Sequence, residues 1–181
     1  MRLRRVVPRV NLQDDDFELF GLTRRFAQDR AEVDARWKDL QRQAHPDKFA
    51  AQGGAAQRIA MQWSVRINEA YQRLKDPLKR AAYLCELAGC AVNAHSNTAL
   101  PAAFLMQQME WREALDDAHS ADAMEALSEQ VQSSRKLVLQ QCASMLDERH
   151  DYAGAVGLVR ALMFIEKFMQ DLSQRLDQLA E

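Results

Sequence analysis

The sequence predicts an all-α fold, and three observations predict it. Only six glycines and four prolines interrupt 181 residues, and from residue 102 onward there is no proline at all. No stretch alternates apolar and polar side chains for long, as a half-buried strand would. Apolar residues recur instead at spacings of three and four, which line up one face of a helix.

Composition narrows the function classes before any motif is read. The length suits one domain or two small ones, each with a core. A net charge of −2 gives no global pull toward nucleic acid or anionic lipid. No apolar run approaches the ~20 residues of a membrane span. Cys85, Cys90 and Cys142 form no CxxC pair and have no histidine at ligand spacing, so they read as reduced thiols with no metal or cofactor. Residues 1–11 carry Arg2, Arg4, Arg5 and Arg9 and read as a disordered basic extension. Pro8 and the acidic Asp14-Asp15-Asp16 argue against a mitochondrial-type presequence, and no apolar segment follows the arginines as in a secretory signal.

Taken in order, the first element is a short helical turn over Asp15–Leu22, with acids at its start and Gly21 at its close. Asp29 is the N-cap of the second helix, with Glu32 three residues on as an acidic capping box. Val33, Trp37, Leu40 and Ala44 form its inner face, while Ala35, Lys38 and Arg42 project from the opposite side. That helix runs into His45-Pro46-Asp47. Proline disfavours helical geometry in the residue before it, so His45 leaves the helix and the chain turns, with Lys48 just beyond. After Gly53-Gly54 a third helix covers about Ala55 to Leu74, with Ile59, Trp63, Ile67, Tyr71 and Leu74 as its stripe. The two long helices make an antiparallel hairpin whose open end Phe17, Leu19 and Phe20 close.

A connecting helix follows from Asp76-Pro77 to Gly89, then a polar loop over Cys90–Leu100. Pro101 is the N1 residue of the next helix, which reaches about Asp116. Ser120 caps a helix from Ala121 to about Glu148, with Leu127, Val131, Val138, Cys142 and Met145 inward. Asp151 caps the last, with Val159, Leu162, Phe164, Ile165, Phe168, Leu172, Leu176 and Leu179 along it. These three segments read as a helical bundle.

Two stretches carry function. The tip at His45-Pro46-Asp47 offers an imidazole, a rigid ring and a carboxylate at the end of a basic helix, which suits a contact surface. An acid–base pair there would need a pocket and an orienting third group, and a loop between two small helices offers neither. His95, His119 and His150 fall in loops or helix ends and read as solvated. The second stretch is Phe104 to Leu115. Phe104, Trp111 and Leu115 share one side, whereas Leu105, Met109 and Met106 lie about 100–200° around the helix. Periodicity alone leaves two readings for that second apolar side. It is a binding surface rimmed by Glu110, Arg112 and Glu113, or it is covered by another part of the chain.

The order of a short helix, a basic helix, His-Pro-Asp and a long helix resembles the J domain of DnaJ-type co-chaperones. Asn68 to Pro77, with Ala70-Tyr71, Leu74 and Asp76-Pro77, is similar to a J-domain ending. Three stretches look like the HscB family, the J-type co-chaperones of bacterial iron–sulfur cluster assembly. These are Ala103–Glu113, Leu40–Ala50 and Met163–Phe168. The resemblance spans residues 12–181 and implies a J domain over 12–77, a connecting helix and loop over 78–100, and a three-helix bundle over 101–181. It further implies that the chain is not an enzyme, and the lack of a glycine-rich phosphate loop in the sequence leaves ATP to a partner. Lys38, Arg42, His45, Pro46, Asp47 and Lys48 would engage an HscA-type ATPase chaperone. Leu105, Met106, Met109, Glu110, Glu113 and Phe164 would bind an IscU-type scaffold protein. Met109 stands where the family often has leucine, a volume-tolerant exchange. The paired CxxC motifs of eukaryotic relatives are missing from this sequence, which points to a bacterial cytoplasmic protein. The alternative within the J class is a general co-chaperone for unfolded clients. The sequence has neither the Gly/Phe-rich linker nor the β-rich client domain that such a protein would carry.

Overall fold

A computed structural model describes residues 13–92 and 100–180, with the side chains of 179 and 180 excepted. The basic extension, His95, most of the polar loop and the side chain of Leu179 therefore lie outside the described residues. The chain divides after Arg80 into two compact units. All regular secondary structure among the described residues is helical, with no strand.

The first unit begins with α1 (Asp16–Phe20), α2 (Arg30–Ala44), a 3-10 turn (Pro46–Gln52) and α3 (Gly54–Lys75). Asp15 caps α1 through a reciprocal box with Glu18, and Gly21 ends it in the left-handed region at φ 62°, where a side chain would be strained. Asp29 caps α2 by accepting from the Ala31 amide at 2.8 Å. Glu32 does not complete the expected box; it pairs with Arg36 one turn on, at 3.4 Å. Phe17, Leu19, Phe20, Val33, Ile67, Ala70 and Leu74 form the buried core. Ile59, placed by periodicity in the stripe of α3, is exposed, and Ala60 is buried instead. The inward side of α3 at this level carries Ala60, which leaves its neighbour Ile59 on the solvent side.

The first turn of α4 (Pro77–Leu87) carries Arg80, whose buried guanidinium donates to the Phe26 carbonyl at 2.6 Å and lies over the Phe26 ring. The second unit adds α5 (Ala102–Asp117), α6 (Ala121–Ala143) and α7 (Tyr152–Ala180). Pro101 occupies the N-cap of α5, one residue before the N1 place read from sequence, because its ψ of 133° is still extended. Ser120 and Asp151 cap α6 and α7 as expected, accepting from the Ala123 and Gly154 amides. Val159, Leu162, Ile165, Phe168 and Leu172 of α7 are buried, each worth ~1.5–3 kcal/mol relative to exposure. α6 continues as a π-helical turn over Ser144–Glu148. The wider turn delays the inward face by one residue, so Leu146 is buried where Met145 was expected. No described helix is long and apolar enough to cross a membrane.

Candidate partner-binding sites

Two surfaces, one in each unit, contain the residues singled out from sequence. At the tip of the hairpin His45 ends α2 with φ −61° and ψ 125°, an extended geometry that the following proline favours. Pro46 then starts the 3-10 turn, where its missing N–H costs nothing. The His45 Nδ1 accepts from the Asp47 amide at 3.3 Å and stands 3.5 Å from the Asp47 carboxylate. The ring therefore caps its own turn, and both side chains remain exposed. Lys38 and Arg42 are exposed one turn apart on α2, and Lys48 is exposed in the turn. Arg42 pairs with Asp39 at 3.1 Å, a surface contact worth ~0–1 kcal/mol. The tip is thus a basic face leading to a rigid polar loop.

In the second unit α5 presents two different sides. Phe104 and Trp111 are buried, with Phe104 edge-on to Phe164 at 5.8 Å and Trp111 stacked on Phe168 at 5.7 Å. Leu115, expected beside them, is only half-buried near the end of the helix. On the other side Leu105, Met106 and Met109 are 46%, 67% and 73% exposed, with Glu110 and Glu113 exposed beside them. Neither the bundle nor the connecting helix covers this side. Phe164 is half-buried on α7, and the Arg112 guanidinium lies 5.8 Å from its ring. Arg112 was read from sequence only as rim; it covers the one member of the set that comes from another helix. Its wheel position beside Leu105 was the signal that could have shown this. A groove of about 1060 Å³ runs between α5 and α6, where Ser134 donates to Gln107 at 3.1 Å, and Glu110 stands at its border with the apolar side.

Cys85 and Cys142 are buried free thiols. Burial pushes Cys85 up to about 11 and Cys142 up to about 12, so both are protonated at neutral pH.

Known proteins share this arrangement. The chain is 48% identical over 173 residues to a co-chaperone protein HscB homolog of Burkholderia mallei, spanning 94% of this chain and 98% of the relative. The chain belongs to the HscB co-chaperone family. A Bordetella petrii HscB homolog is 49% identical over 161 residues, covering 88% of this chain and 95% of the relative. Residues 100–173 match the family described as the HSCB C-terminal oligomerisation domain. Among solved structures, the chaperone HscB from Vibrio cholerae superposes with a TM-score of 0.79 at 35% identity, covering 92% of this chain and 99% of that one. The human co-chaperone protein HscB superposes with a TM-score of 0.85 at 26% identity, covering 91% and 83%. The amino-terminal unit is accordingly the J domain of an HscB-type co-chaperone, and the carboxy-terminal unit is its helical domain.

Proposed function

We propose that this chain is the co-chaperone of bacterial cytoplasmic iron–sulfur cluster assembly that joins an IscU-type scaffold to an HscA-type ATPase chaperone. In this reading residues 12–77 act on the ATPase and residues 101–181 hold the scaffold, with 78–100 between them. The observation that carries it is the two-sided α5. One side is locked into the bundle by aromatic contacts, and the other exposes Leu105, Met106 and Met109 beside Glu110 and Glu113. Exposing three large apolar side chains together serves a partner that buries them. Methionines adapt to the partner's shape, and the two carboxylates select basic groups around it. Phe164 extends the surface from α7.

At the other unit Lys38, Arg42 and Lys48 dock on an acidic patch of the ATPase. The His45-Pro46-Asp47 loop then biases that partner toward its hydrolysis-competent state. Hydrolysis traps the scaffold so that its cluster passes to an acceptor. Docking through exposed charges weakens with salt, because such contacts are screened within a Debye length of ~10 Å at 0.1 M.

The two contacts separate by mutation. His45→Gln abolishes ATPase stimulation and leaves scaffold affinity unchanged. Serine at Leu105, Met106 and Phe164 does the reverse. Because Phe164 also packs on Phe104 and Phe168, the Leu105→Ser/Met106→Ser pair is the cleaner probe. Unchanged scaffold affinity in that pair, measured by calorimetry, refutes the assignment of the surface.

A further inference from the structure

The loop sits at the end of a helix, and its position depends on what holds that end. The last four carbonyls of a helix have no partner within it. Here the Ala44 carbonyl, next to His45, cannot find its usual partner either, because the Lys48 amide donates to His45 at 3.0 Å. The Ser64 hydroxyl of α3 donates to Ala44 instead, at 3.3 Å.

This contact is the last rung of a ladder. Gln41 donates through Nε2 to the Asn68 side-chain oxygen at 2.7 Å and to the Ser64 carbonyl at 3.2 Å. The Trp37 indole donates to the same Asn68 oxygen at 2.9 Å and stacks on Tyr71 at 4.6 Å. Tyr71 in turn donates to Asp34 at 2.9 Å. Positions 34, 37, 41 and 44 on α2 thus meet 71, 68 and 64 on α3 in antiparallel order. Each contact tolerates one register only, since sliding α2 by one turn, ~5.4 Å, breaks every rung.

We infer that Gln41, Ser64 and Asn68 are positioning residues that set where His45-Pro46-Asp47 stands relative to the docking face of Lys38 and Arg42. An apolar seam alone would tolerate small slips, because dispersion and burial have no direction. Directed hydrogen bonds do not, and the rung nearest the loop matters most. This inference rests on the proposed action of the loop on the ATPase.

The test titrates the full-length chain against the partner ATPase chaperone. Ser64→Ala keeps the docking face, so the concentration giving half-maximal stimulation stays within about two-fold of wild type. The maximal stimulation falls about five-fold, the equivalent of one net hydrogen bond of ~1 kcal/mol. Ser64→Thr, which retains the hydroxyl, restores the maximum. Gln41→Met, which keeps bulk and loses both donations, behaves as Ser64→Ala does. Lys38→Ala gives the opposite split, shifting half-saturation and keeping the maximum. A purely structural role predicts a lower melting temperature with the saturated rate intact, and that result overturns the inference. Equal maxima for wild type and Ser64→Ala overturn it as well. If wild type gives no stimulation, the proposed role of the loop fails, and this inference falls with it.

Discussion

Replacing Asp16 with asparagine isolates the buried charge cluster that ties α1 to α3. Asp16 is fully buried on α1, and two guanidinium groups of α3 converge on it, Arg66 at 2.7 Å and Arg73 at 2.6 and 3.0 Å. Asparagine keeps the shape and removes the charge. Breaking a buried ion pair by removing one partner costs ~3–5 kcal/mol, because the other charge is left without compensation. Here the side chains of Arg66 and Arg73 are 18% and 39% exposed, so water takes up part of their charge and the lower end applies, ~3 kcal/mol. Against a typical domain stability of ~5–15 kcal/mol the variant still folds. α1 is only five residues long, and the burial of Phe17, Leu19 and Phe20 helps to anchor it. The loss therefore appears first as opening of that helix. Hydrogen exchange followed by mass spectrometry on peptides covering residues 13–22 should show protection reduced about 100-fold, since ~1.4 kcal/mol is a factor of ten. Peptides from α6 and α7 should keep wild-type protection. A loss of less than about five-fold at α1, or ~1 kcal/mol, would refute the view that these arginines need the Asp16 charge.

Two further predictions concern titration. Native protein treated with iodoacetamide at mildly alkaline pH should be alkylated at the half-buried Cys90 and spared at Cys85 and Cys142, whose raised pKa values keep them as buried thiols. The same shifts have a stability sign: unfolded thiols ionise first, near 9, so stability is intact below that pH and is lost as pH rises toward the folded values of about 11 and 12. Rapid labelling of all three, or stability flat across that range, would contradict this. At the acid end, the Tyr71 hydroxyl, and after it Arg30, hold the Asp34 carboxyl below its ordinary 3.8. Its contribution is complete above that value and is lost as pH falls through the lower folded pKa. The difference in urea midpoint between wild type and Asp34→Asn should be constant above about pH 5 and close below about pH 4; a gap that persists to pH 2 would count against the Tyr71 bond.

How much of this was legible in the sequence depends on the range of the signal. Faces of helices were legible because the repeat is local. Val33, Ile67, Leu74, Val131, Val159 and Leu162 are buried as their spacing implied. Caps were legible for the same reason, since Asp29, Ser120 and Asp151 each bond an amide within three residues. The turn at His45 followed from the restriction that proline places on its neighbour. Three readings failed where a neighbour in space, or a change in helix type, decided the outcome. Ile59 falls in the apolar repeat, but the buried side of α3 at that level carries Ala60. Met145 has the right phase for an α-helix, but the chain winds there as a π-turn. Glu32 stands at the right offset for a box but turns to Arg36.

The sequence by itself determined seven helical segments, the polar tip at His45-Pro46-Asp47 and the second apolar side of α5, because each follows from residues three or four apart. Tertiary structure decided that this side of α5 stays exposed, that Phe164 of α7 lies under Arg112, and that Ser64 holds the carbonyl beside the tip. It also decided the role of Asp16, which reads locally as an ordinary acid in a first helical turn. Its partner Arg73 lies 57 residues away, and only the docking of α1 on α3 buries the Asp16 carboxylate against the two guanidinium groups.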